Sequence, residues 1–153
     1  MNLAAMHIYL SGDNNMNIEG YPQFQLYLLT LNILMLKEQI IPENCDEWCI
    51  NSTIINRAYY SSYLYCELWL KEVKNFKPKA PWEFGKKEKI QGEHKQVRDA
   101  LYKFGEKEIK KELTDLAHLR KKADYEPFND ISPKELNDAI EHMKRIFGHL
   151  EFQ

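Results

Sequence analysis

Arg120 stands where a helix that must pack should carry a leucine. Stepping about 100° per residue from Ile109, Leu113, Leu116 and Ala123 all fall within about 40° of it. Arg120 falls inside that apolar arc and Asp124 at its edge, while Lys110, Lys111, Lys121 and Lys122 point away from it. A guanidinium on a face meant for burial is costly unless it is paired or opens onto a cleft. Arg120 and Asp124 are therefore a placed pair, suited either to structural charge compensation or to gripping an anion such as a phosphate.

A second polar group interrupts an otherwise apolar segment upstream: Asn56, Arg57, Ser61 and Glu67. Their groups need partners inside the fold or in a cleft. Arg57 and Arg120 are expected on adjacent helices, sharing Asp124 or Glu67. His118 and Tyr125 share a face of the Arg120 helix, away from its core arc. His142, Arg145 and His149 form a stripe at i, i+3 and i+7 that reads first as a solvated face. Cys45 and Cys49 have no nearby histidine and read as small helix residues, so no metal is expected. The sequence has no glycine-rich phosphate loop, no nucleophile elbow and no zinc-binding His-Glu-x-x-His, and no cofactor is expected.

The elements that must position these residues are helices. Pro22–Ile41 is nearly all apolar and reads as a buried first helix closed by Pro42. A second, from about Cys45 to Lys74, is apolar on most sides and should be central. Residues 75–92 form a basic loop with two prolines. A third helix spans about His94–Phe104, with Gly105 separating it from a fourth over Glu106–Tyr125, which Pro127 ends. Ser132-Pro133-Lys134-Glu135 is a capping box that opens a last helix, with Leu136, Ala139, Ile140, Met143, Ile146, Phe147 and Leu150 at helical spacing. The expectation is an all-α, up-and-down bundle of about five helices over residues 22–153, preceded by a loose arm at 1–21.

With 153 residues the chain suits one domain. No apolar run reaches the roughly 20 residues that span a bilayer, and nothing reads as a signal peptide. Three cysteines fit a reducing cytoplasm better than a disulfide scaffold. The net charge of −2 hides an asymmetry: residues 71–122 hold 16 of 21 Lys/Arg and 9 of 23 acidic residues. That segment is basic and the remainder acidic, which suits a phosphate backbone, an acidic partner, or simply a solvated lysine surface.

Three stretches, in order, resemble the HEPN superfamily (higher eukaryotes and prokaryotes nucleotide-binding domain). Asn56-Arg57-Ala58-Tyr59-Tyr60-Ser61-Ser62-Tyr63 resembles its Arg-Ala-Tyr-Tyr segment. Gly92-Glu93-His94-Lys95-Gln96 is similar to the stretch that opens its third helix. Leu119-Arg120-x-x-Ala123-Asp124-Tyr125 resembles its Arg-x-x-Ala-Asp-Tyr signature. The likeness runs from about residue 22 to 150. It implies a helical bundle that pairs as a homodimer, in toxin–antitoxin or antiviral defence systems of bacteria or phage. Many members are metal-independent ribonucleases with an Arg-x4–6-His motif, in which histidine moves protons at the ribose 2′-hydroxyl and arginine stabilises the phosphorane. The positions for that histidine after Arg120 are Tyr125, Glu126 and Pro127.

Two functions follow as expectations. One is a divergent RNA-cleaving toxin, with Arg120, Asp124, Tyr125, His118 and His94 as the catalytic candidates. Asn56, Arg57, Lys86, Lys87, Lys89, Lys121 and Lys122 would contact RNA or another ligand. The other is a non-catalytic dimeric subunit that binds RNA, a nucleotide or a protein. Its implied partner is a nucleotidyltransferase antitoxin or a defence effector.

Overall fold

The computed structural model describes residues 20–40, 46–85, 90–126 and 130–151. Over these residues it is an all-α bundle of five helices: α1 (Pro22–Ile40), α2 (Glu47–Lys74), α3 (Glu93–Lys103), α4 (Lys107–Tyr125) and α5 (Pro133–His149). Among the described residues of the loop between α2 and α3, Pro81–Glu83 form a 3₁₀ turn. Residues 1–19, Cys45, Lys86, Lys87, Lys89 and Pro127 lie outside the described residues.

Each helix boundary has a local cause. Asp46 caps α2 by accepting from the Trp48 N–H at 3.0 Å, so the helix starts just after the expected Cys45. It ends at Asn75 in the left-handed region, where the Phe76 N–H closes onto the Leu70 carbonyl at 3.0 Å. Gly105, with φ of +96°, makes the corner between α3 and α4 that a β-carbon would strain. At α5 the capping box forms as the sequence predicts: the Glu135 N–H donates to Ser132 Oγ at 3.2 Å, and the Ser132 N–H to Glu135 Oε2 at 2.9 Å.

α2 packs against every other helix, and α4 packs against α2, α3 and α5. The core therefore forms around α2. Ile54, Ala58, Cys66 and Leu70 from α2 meet Val97 and Leu101 from α3, Leu113 and Leu116 from α4, and Met143 and Ile146 from α5, all excluded from solvent. The far end of α5 is tied down by polar groups of α2. Tyr65 Oη donates to the Leu150 carbonyl and Trp69 Nε1 to the Glu151 carbonyl, each at 2.9 Å. Phe147 stacks on Tyr65 with ring centroids 4.1 Å apart and meets Tyr27 of α1 at 4.5 Å. Burial pushes the Tyr27 hydroxyl pKa up to about 12, so it stays protonated.

α1 differs from the buried helix expected. It lies beside α2 and reaches α5 through the Phe24 and Tyr27 rings on Phe147, and Leu29, Met35 and Leu36 remain exposed. Its apolar residues run all round, but the described elements bury only part of that surface.

Lys122 of α4 is bound into the start of α5, donating to Glu135 Oε1 at 2.7 Å and to the Asp130 carbonyl at 2.9 Å. That lysine, together with the Ser132 N–H, holds the Glu135 carboxyl pKa down from 4.5 to about 2. A depressed carboxylate contributes stability above its unfolded value, and that contribution disappears as pH falls toward the folded value. Thermal melts should therefore lose stability between about pH 4.5 and 2. Glu135→Gln should flatten that acid limb; a slope equal to wild type would show that Glu135 does not carry it.

Candidate functional site

Three helices bring the candidate residues together. What this patch offers is a guanidinium set among rings. Arg120 of α4 lies in the packed arc the periodicity marks, with 26% of its side chain exposed, and Asp124, one turn on, with 18%. The Arg120 Nε sits 2.5 Å from Asp124 Oδ2 as a close ion pair, although its N–H makes no aligned hydrogen bond. The opposite carboxylate oxygen, Oδ1, accepts from Asn56 Nδ2 of α2 at 2.5 Å. Asp124 thus joins α2 to α4. It is Asn56, not Arg57 as expected, that shares this carboxylate, because Arg57 turns toward the Tyr60 ring, 5.8 Å from its centroid.

Aromatic rings enclose the guanidinium. The Arg120 Cζ lies 5.9 Å from the Tyr59 ring centroid, 5.5 Å from Tyr60 and 5.8 Å from Tyr125. Its NH2 group also donates to Tyr60 Oη at a long 3.3 Å. Tyr59 is buried, whereas Tyr125, the last residue of α4, is 68% exposed. Rings hold a guanidinium in place without consuming its N–H donors, so Arg120 keeps donor capacity for an incoming anion.

His94, in the first turn of α3, closes the cluster. Its Nδ1 lies 2.7 Å from Tyr59 Oη, and its ring packs on Tyr63 with centroids 4.1 Å apart. Burial first, then Arg98 and Arg120, push its pKa below the ordinary histidine value, with Glu93 opposing. The surroundings of His94 therefore favour its neutral form. Arg98, one turn along α3, acts on the Tyr59 hydroxyl through its charge; burial raises the pKa of that hydroxyl against the pull of Arg98 and Arg120 and keeps its proton on. On the Tyr63 side stands Glu67, its pKa raised by burial and by Glu93.

The structure thus assembles Asn56, Arg57, His94, Arg120, Asp124 and Tyr125, and adds Tyr59, Tyr60, Tyr63 and Arg98. Arg98 was detectable from its spacing: four residues after His94, it lies on the same face of α3. His118 makes no hydrogen bond or ring contact with Arg120, Asp124 or His94, and faces another groove. It is exposed and lines that groove, of about 350 Å³ between α4 and α5, with Asp115, Leu119, Lys122, Glu135, Asp138 and His142. Lys121 is exposed on α4, while Lys122 is occupied by Glu135. The α5 stripe is not free either. His142 meets Glu112 at 2.5 Å, Arg145 reaches the same carboxylate at 3.4 Å, and His149 lies 3.0 Å from Glu106. These pairs staple α4 to α5. Among the described residues no His/Cys/Asp/Glu group could hold a metal, and no helix is long and apolar enough to cross a membrane.

What the arrangement can do chemically is bind an anion. Arg57, Arg98 and Arg120 present delocalised cations that match phosphate oxygens, Asp124 orients one of them, and a histidine that favours its neutral form shares Tyr59 with Arg120. Removing Asp124 leaves Arg120 and Asn56 without their shared acceptor. Because the pair is half-buried, Asp124→Ala should cost about 2 kcal/mol, less than the roughly 3–5 of a fully dry pair. Chemical denaturation would measure it, and an unchanged midpoint would show that solvent already compensates the charge. Set against known proteins, the chain matches no family model, no curated protein and no solved structure.

Proposed function

We propose that the chain is a HEPN-like RNA-directed protein of bacterial or phage conflict systems, which grips the phosphodiester backbone with Arg120, Arg98 and Arg57. The observation that carries this reading is the Arg120 guanidinium, fixed by Asp124 and three tyrosine rings while 26% of its side chain stays open. The exposed Tyr125 ring beside it could take an unpaired base, as single-stranded nucleic acid prefers. A homodimer working with a nucleotidyltransferase antitoxin or a defence effector belongs to the same reading, on the strength of the three motif stretches.

A second version, cleavage, is favoured by one observation: His94 and Arg120 meet the same Tyr59 side chain, although no histidine stands four to six residues after Arg120 in sequence. His94 would take the proton of the ribose 2′-hydroxyl as that oxygen attacks phosphorus. The proton would return to the 5′-oxygen as it leaves, giving a 2′,3′-cyclic phosphate, with Arg120 stabilising the phosphorane.

Induced expression of wild type and Arg120→Ala, with growth and total RNA integrity followed together, separates the two. Cleavage predicts slowed growth and fragmented RNA that the variant relieves. Binding alone predicts intact RNA, with affinity for single-stranded RNA that falls steeply with salt and a salt slope smaller by roughly one in the variant. No RNA binding at any salt would remove both versions.

A further inference from the structure

The hydrogen bond of Tyr59 determines which nitrogen of His94 carries the proton. A phenol has one proton to donate and lone pairs that accept, whereas a neutral imidazole has one nitrogen of each kind. Tyr59 is buried, and its single O–H needs an acceptor. Among the described residues the His94 Nδ1, at 2.7 Å, is the one it meets. Were Nδ1 protonated instead, the phenol proton would be buried with no partner, at a cost that corresponds to a roughly tenfold to hundredfold preference. The remaining nitrogen, Nε2, makes no hydrogen bond to any described residue, and it is not among the buried orphaned atoms.

We propose that Tyr59 locks His94 in the Nε2–H tautomer, so that His94 acts as a hydrogen-bond donor to a phosphate oxygen beside Arg120, with Tyr59 as its positioning residue. The ligand half rests on the phosphate-binding reading above; the tautomer half stands without it. The surrounding charges agree. Arg98 on α3 and Arg120 on α4 oppose a cationic ring and Glu93 favours one, with Glu67 beyond Tyr63, and the first influence together with burial prevails. A neutral ring with Nε2–H can donate to an oxyanion but cannot take a proton there. This makes His94 a poor general base and favours recognition over cleavage.

Long-range ¹H–¹⁵N NMR of the labelled full chain reads the tautomer directly, with His94→Gln assigning the signal. The expected result is a bare Nδ1 and a protonated Nε2 that persist when pH is lowered through about 6.5, where an unperturbed histidine titrates. An Nδ1–H tautomer, or a cationic ring at neutral pH, overturns the proposal. Tyr59→Phe should let the tautomers mix; if that variant fails to fold, the wild-type spectrum still decides.

Affinity for a short oligouridylate tests the ligand half. Glutamine can place an N–H near the Nε2 position, so His94→Gln should bind within about threefold of wild type. His94→Ala should lose roughly tenfold or more. Equal losses in both variants would overturn the donor role. Failure of wild type to bind the oligouridylate would remove the phosphate reading and the ligand half with it, leaving the tautomer to be judged by its own spectrum.

Discussion

Burying part of a guanidinium on the packed face of α4 constrains everything around it. Arg120 cannot leave, because its helix position is fixed by Leu113, Leu116 and Ala123, which are in the core. It must therefore be met by charge and by polarisable surface. Asp124 supplies the charge, Asn56 holds the other edge of that carboxylate from α2, and tyrosine rings from α2 and the end of α4 fill the space where aliphatic side chains would otherwise pack. The tyrosine-rich stretch of α2 has its physical reason here: the middle of a central helix must be apolar enough to bury and polarisable enough to accept a cation.

This arrangement differs in kind from the charge pairs elsewhere in the bundle. Between α4 and α5, Glu112, Glu106 and Glu135 each meet a basic partner in α5 or α4, and those basic groups are spent on holding the helices together. At the α2–α3–α4 junction Arg120 pairs with Asp124, while Arg57 lies over the Tyr60 ring and Arg98 acts on Tyr59 and His94 through its charge, with Glu67 on the far side of Tyr63. Stability alone asks for nothing beyond charge balance. A surplus of guanidinium donors, kept rigid by rings and hydrogen bonds, is what a phosphate site requires, since the ordering is complete before the ligand arrives.

Much of this was legible in the sequence, for reasons that differ by residue. The helices could be placed because their stops are chemical: the Ser132–Glu135 capping box and Gly105 act within one turn of the chain. Arg120 and Asp124 stood out because a charge inside a helical apolar arc breaks the period. Partners across helices were harder. That Asn56 rather than Arg57 reaches Asp124 depends on how α2 is rotated against α4, which a single-helix projection does not encode. The pairing of His94 with Tyr59 is likewise long-range, and it supplies a histidine near Arg120 that spacing along α4 could not. The first helix misled in the other direction: its apolar residues predicted burial, yet burial needs a neighbour, and Leu29, Met35 and Leu36 are left exposed.

The most direct measurement is the ¹⁵N spectrum of the arginine Nε–H groups, recorded as single-stranded RNA is added to the full chain. A phosphate grip at the junction predicts saturable shifts of the Arg120 and Arg98 signals that reverse with added salt, while Arg145, engaged with Glu112 on the far side of α4, stays still. Shifts confined to Arg145, or none at any arginine while RNA binds, would contradict it and place the contact on some other surface.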